Sequence, residues 1–108
     1  MKGTNLGEFE ELILLVIGVL DTNAYGAAII SQLEEQTDRK PSVGAVHSSL
    51  NRLVEKGYLK SRTGESTASR RGRRKIYYDL TAAGQNALIK TREMRNYLFS
   101  LIPNISAE

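Results

Sequence analysis

Leu12-Ile13-Leu14-Leu15-Val16-Ile17 is a run of six apolar residues, preceded closely by Glu8, Glu10 and Glu11. Wound as a helix over about 6–20, it leaves almost no polar face, and a helix apolar all round must be covered on several sides. A chain of 108 residues is one small domain with a marginal core of its own. The expectation is a helix shared between the intramolecular core and a subunit interface, with Leu12, Leu15, Val16 and Val19 as interface positions. The three acids suit its start, where the helix macrodipole favours negative charge. The run is too short to span a bilayer, and acids stand where a secretory signal would be basic. A cytoplasmic protein without a membrane partner is the simplest expectation.

The remaining chain divides at its punctuation. Asn23 is the expected N-cap of a second helix over about 24–37, with Tyr25, Ile29 and Leu33 as its inward stripe. Pro41 separates it from a third helix over about 42–56, capped by Ser42 and stopped by Gly57. Val43, Val46, Leu50 and Leu53 form the inward side of this third helix. Ser48, Ser49, Asn51 and Arg52 fall largely on the other side, with Ala45 near the edge. Two strands follow over about 58–63 and 75–80, the second alternating Ile76, Tyr78 and Leu80 against Tyr77 and Asp79. Thr81 caps a last helix over about 82–102, ended by Pro103. Ala87, Thr91, Met94, Leu98 and Leu101 make a heptad-like seam along it, which reads as pairing between subunits. The fold class is mainly α with a small β-hairpin (α+β).

Charge is unevenly spread. Between Arg39 and Lys75 eleven Lys/Arg face two acids, a local net of +9, while the rest of the chain carries −6. Ser69-Arg70-Arg71-Gly72-Arg73-Arg74-Lys75 alone holds five basic residues, on a Gly-containing loop that runs into the second strand. Cations crowded at a hairpin tip suit a phosphate backbone, and the third helix offers the short polar side chains that a major groove admits. The other reading of the same loop, of a different class, is a protein-interaction module docking on an acidic partner.

Enzymatic chemistry finds no footing. There is no cysteine, and the single histidine, His47, cannot build a metal centre by itself. Ser42, Ser48 and Ser49 stand near His47, but no acid is placed to orient that imidazole. No phosphate-binding glycine loop precedes a helix with the expected lysine. No cofactor and no metal are expected.

Helix, helix, polar-faced helix, basic hairpin, helix is the order of a winged helix-turn-helix followed by a C-terminal dimerisation helix. Divided by function, residues 1–80 form the DNA-binding domain, 81–103 the dimerisation helix and 104–108 a tail. Three segments carry a closer likeness: Tyr25-Gly26, the run Pro41–Gly57 containing Val46-His47-Ser48-Ser49-Leu50-Asn51-Arg52-Leu53, and Gly72–Gly84 containing Lys75-Ile76-Tyr77-Tyr78-Asp79-Leu80-Thr81. Together, in this order, they resemble the PadR family of transcriptional regulators across nearly the whole chain. The resemblance implies a homodimeric repressor on a pseudo-palindromic operator, released by a small-molecule effector of unassigned identity. It also implies that the last helix crosses to the partner near its first helix. His47 stands where the family usually has Tyr, and reads as a phosphate contact or as a pH-sensing group. Members that bind flat aromatic drugs between subunits use aromatic sandwiches, whereas the last helix here offers only Tyr97 and Phe99.

The expected contacts follow from chemistry. Arg70, Arg71, Arg73, Arg74, Lys75 and Tyr77 are assigned to phosphates or a narrow minor groove. Lys40, Ser42, Ala45, His47, Ser48, Ser49 and Arg52 are assigned to the third helix and its entrance, with Arg52 equally able to pair within its helix. Leu12, Leu15, Val16, Val19, Ala87, Met94, Leu98 and Leu101 are assigned to the dimer interface.

Overall fold

Each helix of this chain begins or ends for a chemical reason that can be named. The structure is a computed structural model and describes residues 6–64 and 74–105. Helix α1 (Glu8–Leu20) leads through a 3-10 turn (Asp21–Asn23) into α2 (Gly26–Gln36) and then α3 (Val43–Glu55). Strands β1 (Leu59–Thr63) and β2 (Ile76–Leu80) form an antiparallel hairpin, and α4 (Ala82–Ser100) follows.

Helix α3 is capped by Ser42, whose Oγ accepts from the Ala45 amide at 3.1 Å. It stops at Gly57, which adopts φ +81°, a conformation glycine enters without a Cβ penalty. The Gly57 amide donates to the Val54 carbonyl at 3.0 Å and the Tyr58 amide to Leu53 at 2.9 Å, the paired bonds of a Schellman stop. Thr81 caps α4 by accepting from the Gly84 amide at 3.0 Å, and its hydroxyl donates to the Gly57 carbonyl at 2.6 Å. One threonine thus starts α4 and ties it to the end of α3.

The start of α2 differs from expectation. Tyr25, not Asn23, is the N-cap, and Asn23 belongs to the 3-10 turn. The cause lies far along the chain: the Tyr78 amide donates to the Ala24 carbonyl at 2.8 Å, and Tyr25 bridges to Tyr77. Pairing with the outer edge of β2 holds residues 24 and 25 out of helical geometry, so the helix begins two residues later.

Ile13, Leu14 and Ile17 of α1 pack with Ile29 and Leu33 of α2, with Val46, Leu50 and Leu53 of α3, and with Leu59 and Tyr78 of the hairpin. Val16 belongs to this core and Leu12 packs half-buried against it. Val16 is therefore an intramolecular contact, while Leu15 and Val19 on the opposite side of α1 are exposed. The same division runs along α4. Gly84, Ala87 and Thr91 are buried within the chain, Met94 is half-buried, and Leu98 and Leu101 are 54% and 59% exposed. Ala87 is thus a packing residue of its own protomer, because the first half of α4 lies against the body while the second half runs past it. Gly84 allows the close approach, since a Cβ there would meet the Tyr58 carbonyl oxygen.

The hairpin pairs Leu59 with Leu80 and Thr63 with Ile76, and the Gly64 amide adds a bond to the Lys75 carbonyl at 2.7 Å. Its expected inward face holds at Tyr78 and Leu80 but not at Ile76, which is half-exposed where the strands leave the core. Val43, expected to face inward, is 60% exposed because the first turn of α3 extends past the core.

Candidate nucleic-acid interface

Helix α3 turns Val46, Ser49, Leu50 and Leu53 inward and leaves Gly44, Ala45, His47, Ser48 and Asn51 exposed. The outward face is low. Nothing lies within 4 Å of where a Cβ on Gly44 would project, so the backbone of the first turn is open to a large neighbour. Ser42 spends its side chain on the cap, and Lys40 is exposed on the connection just before it.

Two expected contacts move away from this face. Ser49 is only 1% exposed, since 46, 49, 50 and 53 follow the i, i+3, i+4, i+7 spacing of a buried stripe. Its Oγ accepts from Arg52 Nη2 at 3.1 Å. Arg52 in turn donates from Nε to Glu10 Oε2 at 3.2 Å, which draws the guanidinium toward α1 rather than outward. Arg52 thus pairs within α3 through Ser49, while its ionic partner lies 42 residues earlier.

Cations and rings order the base of the hairpin. Lys75 Nζ sits 3.7 Å from the centre of the Tyr25 ring, Tyr25 meets Tyr77 edge-on at 5.6 Å, and the Arg62 guanidinium lies 4.7 Å from the Tyr77 ring. Such cation–ring contacts stabilise by about 0.5–1 kcal/mol each where exposed. Arg62 also donates to Asp79 Oδ2 at 2.8 Å and to the Thr22 carbonyl at 2.9 Å, which locks that end of the row. Tyr77 is therefore half-buried between Tyr25 and Arg62. Arg74 is exposed, and Arg70, Arg71 and Arg73 lie outside the described residues.

Between α3 and the hairpin runs a cleft of about 390 Å³ lined by Tyr25, Gly26, His47, Asn51, Lys75, Ile76 and Tyr78. His47 lies against Gly26 at the start of α2. Asn51, absent from the expected contacts, reaches this cleft; its four-residue spacing from His47 was the available signal.

The charge surplus is smaller than the sequence suggests. Arg39 makes a two-bond contact to Glu8 at 2.6 and 2.7 Å, Arg52 and Lys56 both reach Glu10, and Arg62 pairs with Asp79. Among the described residues Lys40, Lys60, Arg74 and Lys75, with Lys90 and Arg92 on α4, make no ion pair. Four of these unpaired cations stand at the entrance of α3 and on the hairpin, the side on which α3 is open.

The family model of the PadR-like transcriptional regulators matches residues 13–90, from the core of α1 to the first half of α4. The chain belongs to the PadR-like family. Solved PadR structures superpose over most of its length. A PadR family regulator from Clostridium difficile R20291 is 25% identical, covers 88% of this chain and 94% of its own, and superposes with a TM-score of 0.72. A PadR-like transcription factor from Bacteroides fragilis is 27% identical, with coverages of 91% and 89% and a TM-score of 0.75. The complex structure of hsRosR-SG is 28% identical, with coverages of 94% and 82% and a TM-score of 0.70. No curated protein sequence matches the chain. The PadR-like assignment makes the molecule a DNA-binding transcriptional regulator with a winged helix fold, and not an enzyme. Among the described residues no helix is long and apolar enough to cross a membrane.

Proposed function

We propose that the chain acts as a homodimeric repressor that lays α3 in the major groove and its basic hairpin along the phosphate backbone or the adjacent minor groove. The observation that carries this reading is the low, open face of α3 beside a cationic strand. Gly44, Ala45 and Ser48 let the helix backbone approach base edges, and His47 and Asn51 line the cleft toward Lys75. Lys40, Arg74 and Lys75, with Arg70, Arg71 and Arg73, supply phosphate contacts; base choice falls to Ala45, His47, Ser48 and Asn51. Tyr77 contributes by holding Tyr25, and through it Lys75, in place.

Dimerisation is supported by the exposed Leu98 and Leu101 on α4 and Leu15 and Val19 on α1, apolar surface that a second copy would cover. Two α3 helices in such a dimer would meet successive major grooves about 34 Å apart. Release by a small-molecule effector rests on the family resemblance.

The test begins by selecting bound fragments from genomic DNA with purified protein. The selected duplex and a shuffled duplex of equal length are then titrated over a salt series. Replacing Arg74 and Lys75 with Ala should weaken binding to both duplexes alike and flatten the salt dependence by about two contacts. Ser48→Glu should instead reduce the preference between them by about tenfold, the scale of one good base contact. A protein that binds neither duplex at low salt would overturn the reading.

A further inference from the structure

Glu10 sits in the first turn of α1, where a carboxylate needs no burial to interact with the helix macrodipole; Glu8, in the same turn, is exposed. Yet Glu10 is only 6% exposed. Three donors satisfy it: the Gly7 amide at 3.1 Å, Lys56 Nζ at 2.8 Å and Arg52 Nε at 3.2 Å. Two of the three come from the last turn of α3 and its C-cap residue, four positions apart. Arg52 has a second anchor in the buried Ser49 hydroxyl. A side chain 54% exposed is therefore fixed at both ends of its guanidinium, one end on a buried carboxylate.

The position of this clamp gives it a consequence for DNA. Arg52 lies on the helix that carries the groove-facing residues, but on the flank turned to α1. An untethered arginine there would reach for whichever phosphate passed nearby, regardless of sequence. Such a contact can be made in any docking register, so it adds most to complexes that the base-edge residues do not hold in register, and it thereby narrows the preference those residues supply.

We propose that Glu10 is a positioning residue for sequence choice: from α1 it seats α3 through Arg52 and Lys56 and withholds the Arg52 guanidinium from the phosphate backbone. The inference rests on the reading of α3 as the groove helix. Glu10 trades indiscriminate affinity for selectivity, and the cations that grip phosphate are those of the hairpin and of Lys40.

The experiment compares the parent, Glu10→Gln, Arg52→Gln and the double variant on the selected and shuffled duplexes over about 50–200 mM salt. Glu10→Gln should bind the shuffled duplex more tightly, lose about tenfold in preference, and steepen its salt dependence by about one contact. Arg52→Gln alone should keep the parent's salt dependence, and in the double variant the extra contact should vanish. A merely structural carboxylate would lower affinity for both duplexes without steepening either slope. That outcome, or a flatter slope by about one contact in Arg52→Gln, overturns the proposal. The Arg52→Gln arm stands even if Glu10→Gln fails to fold. A parent that binds neither duplex removes the groove-helix reading and this inference with it, whereas a selective parent with an unchanged Glu10→Gln removes the inference alone.

Discussion

Two glycines in this chain have opposite reasons for being small. A Cβ on Gly84 would run into the Tyr58 carbonyl, which belongs to backbone and cannot swing aside, whereas one on Gly44 would meet nothing within 4 Å. Gly84→Ala should therefore destabilise by about 1–3 kcal/mol through overpacking, despite alanine's better helix propensity. Gly44→Ala should stabilise by about 0.5 kcal/mol, and by weighing on the open face of α3 should cost DNA affinity. Thermal melts of both decide the matter, and shifts of the same sign would refute the close-approach argument. Glu10 gives a pH dependence. Burial raises its carboxyl, but the hydrogen bonds from Lys56, the Gly7 amide and Arg52 outweigh it and hold the group below 4.5. A depressed folded value means that its stabilisation is full above about 4.5 and drains away as pH falls through the lower folded value. Denaturant titrations of the parent should lose stability in that acid window, and Glu10→Gln should lose less there. None of this was legible in the sequence, where Glu8, Glu10 and Glu11 look alike. What separates them is contact with residues 42 and 46 positions away, which no local pattern encodes.

At the scale of the element, legibility follows locality. The caps at Ser42 and Thr81 and the stop at Gly57 are fixed by neighbours within a few residues, and all three were readable. Asn23 was misread as a cap because the pairing of Ala24 and Tyr25 with β2 is a long-range event. The inward faces of α3 and β2 were readable in their middles and wrong at Val43 and Ile76, where each element outruns the core. Ser49 was misplaced for its polarity, although its position in the apolar spacing was visible. Thr81 joins two elements, so its loss should be felt in both. Thr81→Ala should cost about 1–2 kcal/mol, the range of a lost N-cap, and should raise hydrogen exchange at the Gly84 amide. A protection pattern unchanged at that amide would show that the cap contributes nothing.

The whole molecule is longer than its residue count suggests. Its radius of gyration is 16.0 Å, against about 13 Å for a compact domain of this length, and its longest extent is 59 Å. The excess fits the outer half of α4, whose Leu98 and Leu101 are more than half exposed among the described residues. The sequence showed this seam but assigned all of it to a partner, because a heptad spacing cannot tell the half that packs at home from the half that does not. Only Ala87 and Thr91 are claimed by the protomer. Asp at both Leu98 and Leu101 should convert a dimer into a monomer at micromolar concentration while leaving the melting of the winged core nearly unchanged. Size-exclusion chromatography with light scattering reads the first effect and calorimetry the second. A parent that is itself monomeric under these conditions would sink the dimer proposal.

The joint at Thr81 makes α4 a lever. Nineteen residues of helix span about 28 Å, so a turn of about 5° at the base moves the far tip by about 2–3 Å. The fulcrum is not neutral ground: the Thr81 hydroxyl and amide are bonded to the carbonyls of Gly57 and Tyr58, the residues that close α3. A push at the tip therefore has, beside the packing of Gly84, Ala87 and Thr91 against the body, a direct route through Thr81 to the last turn of the helix proposed to face DNA.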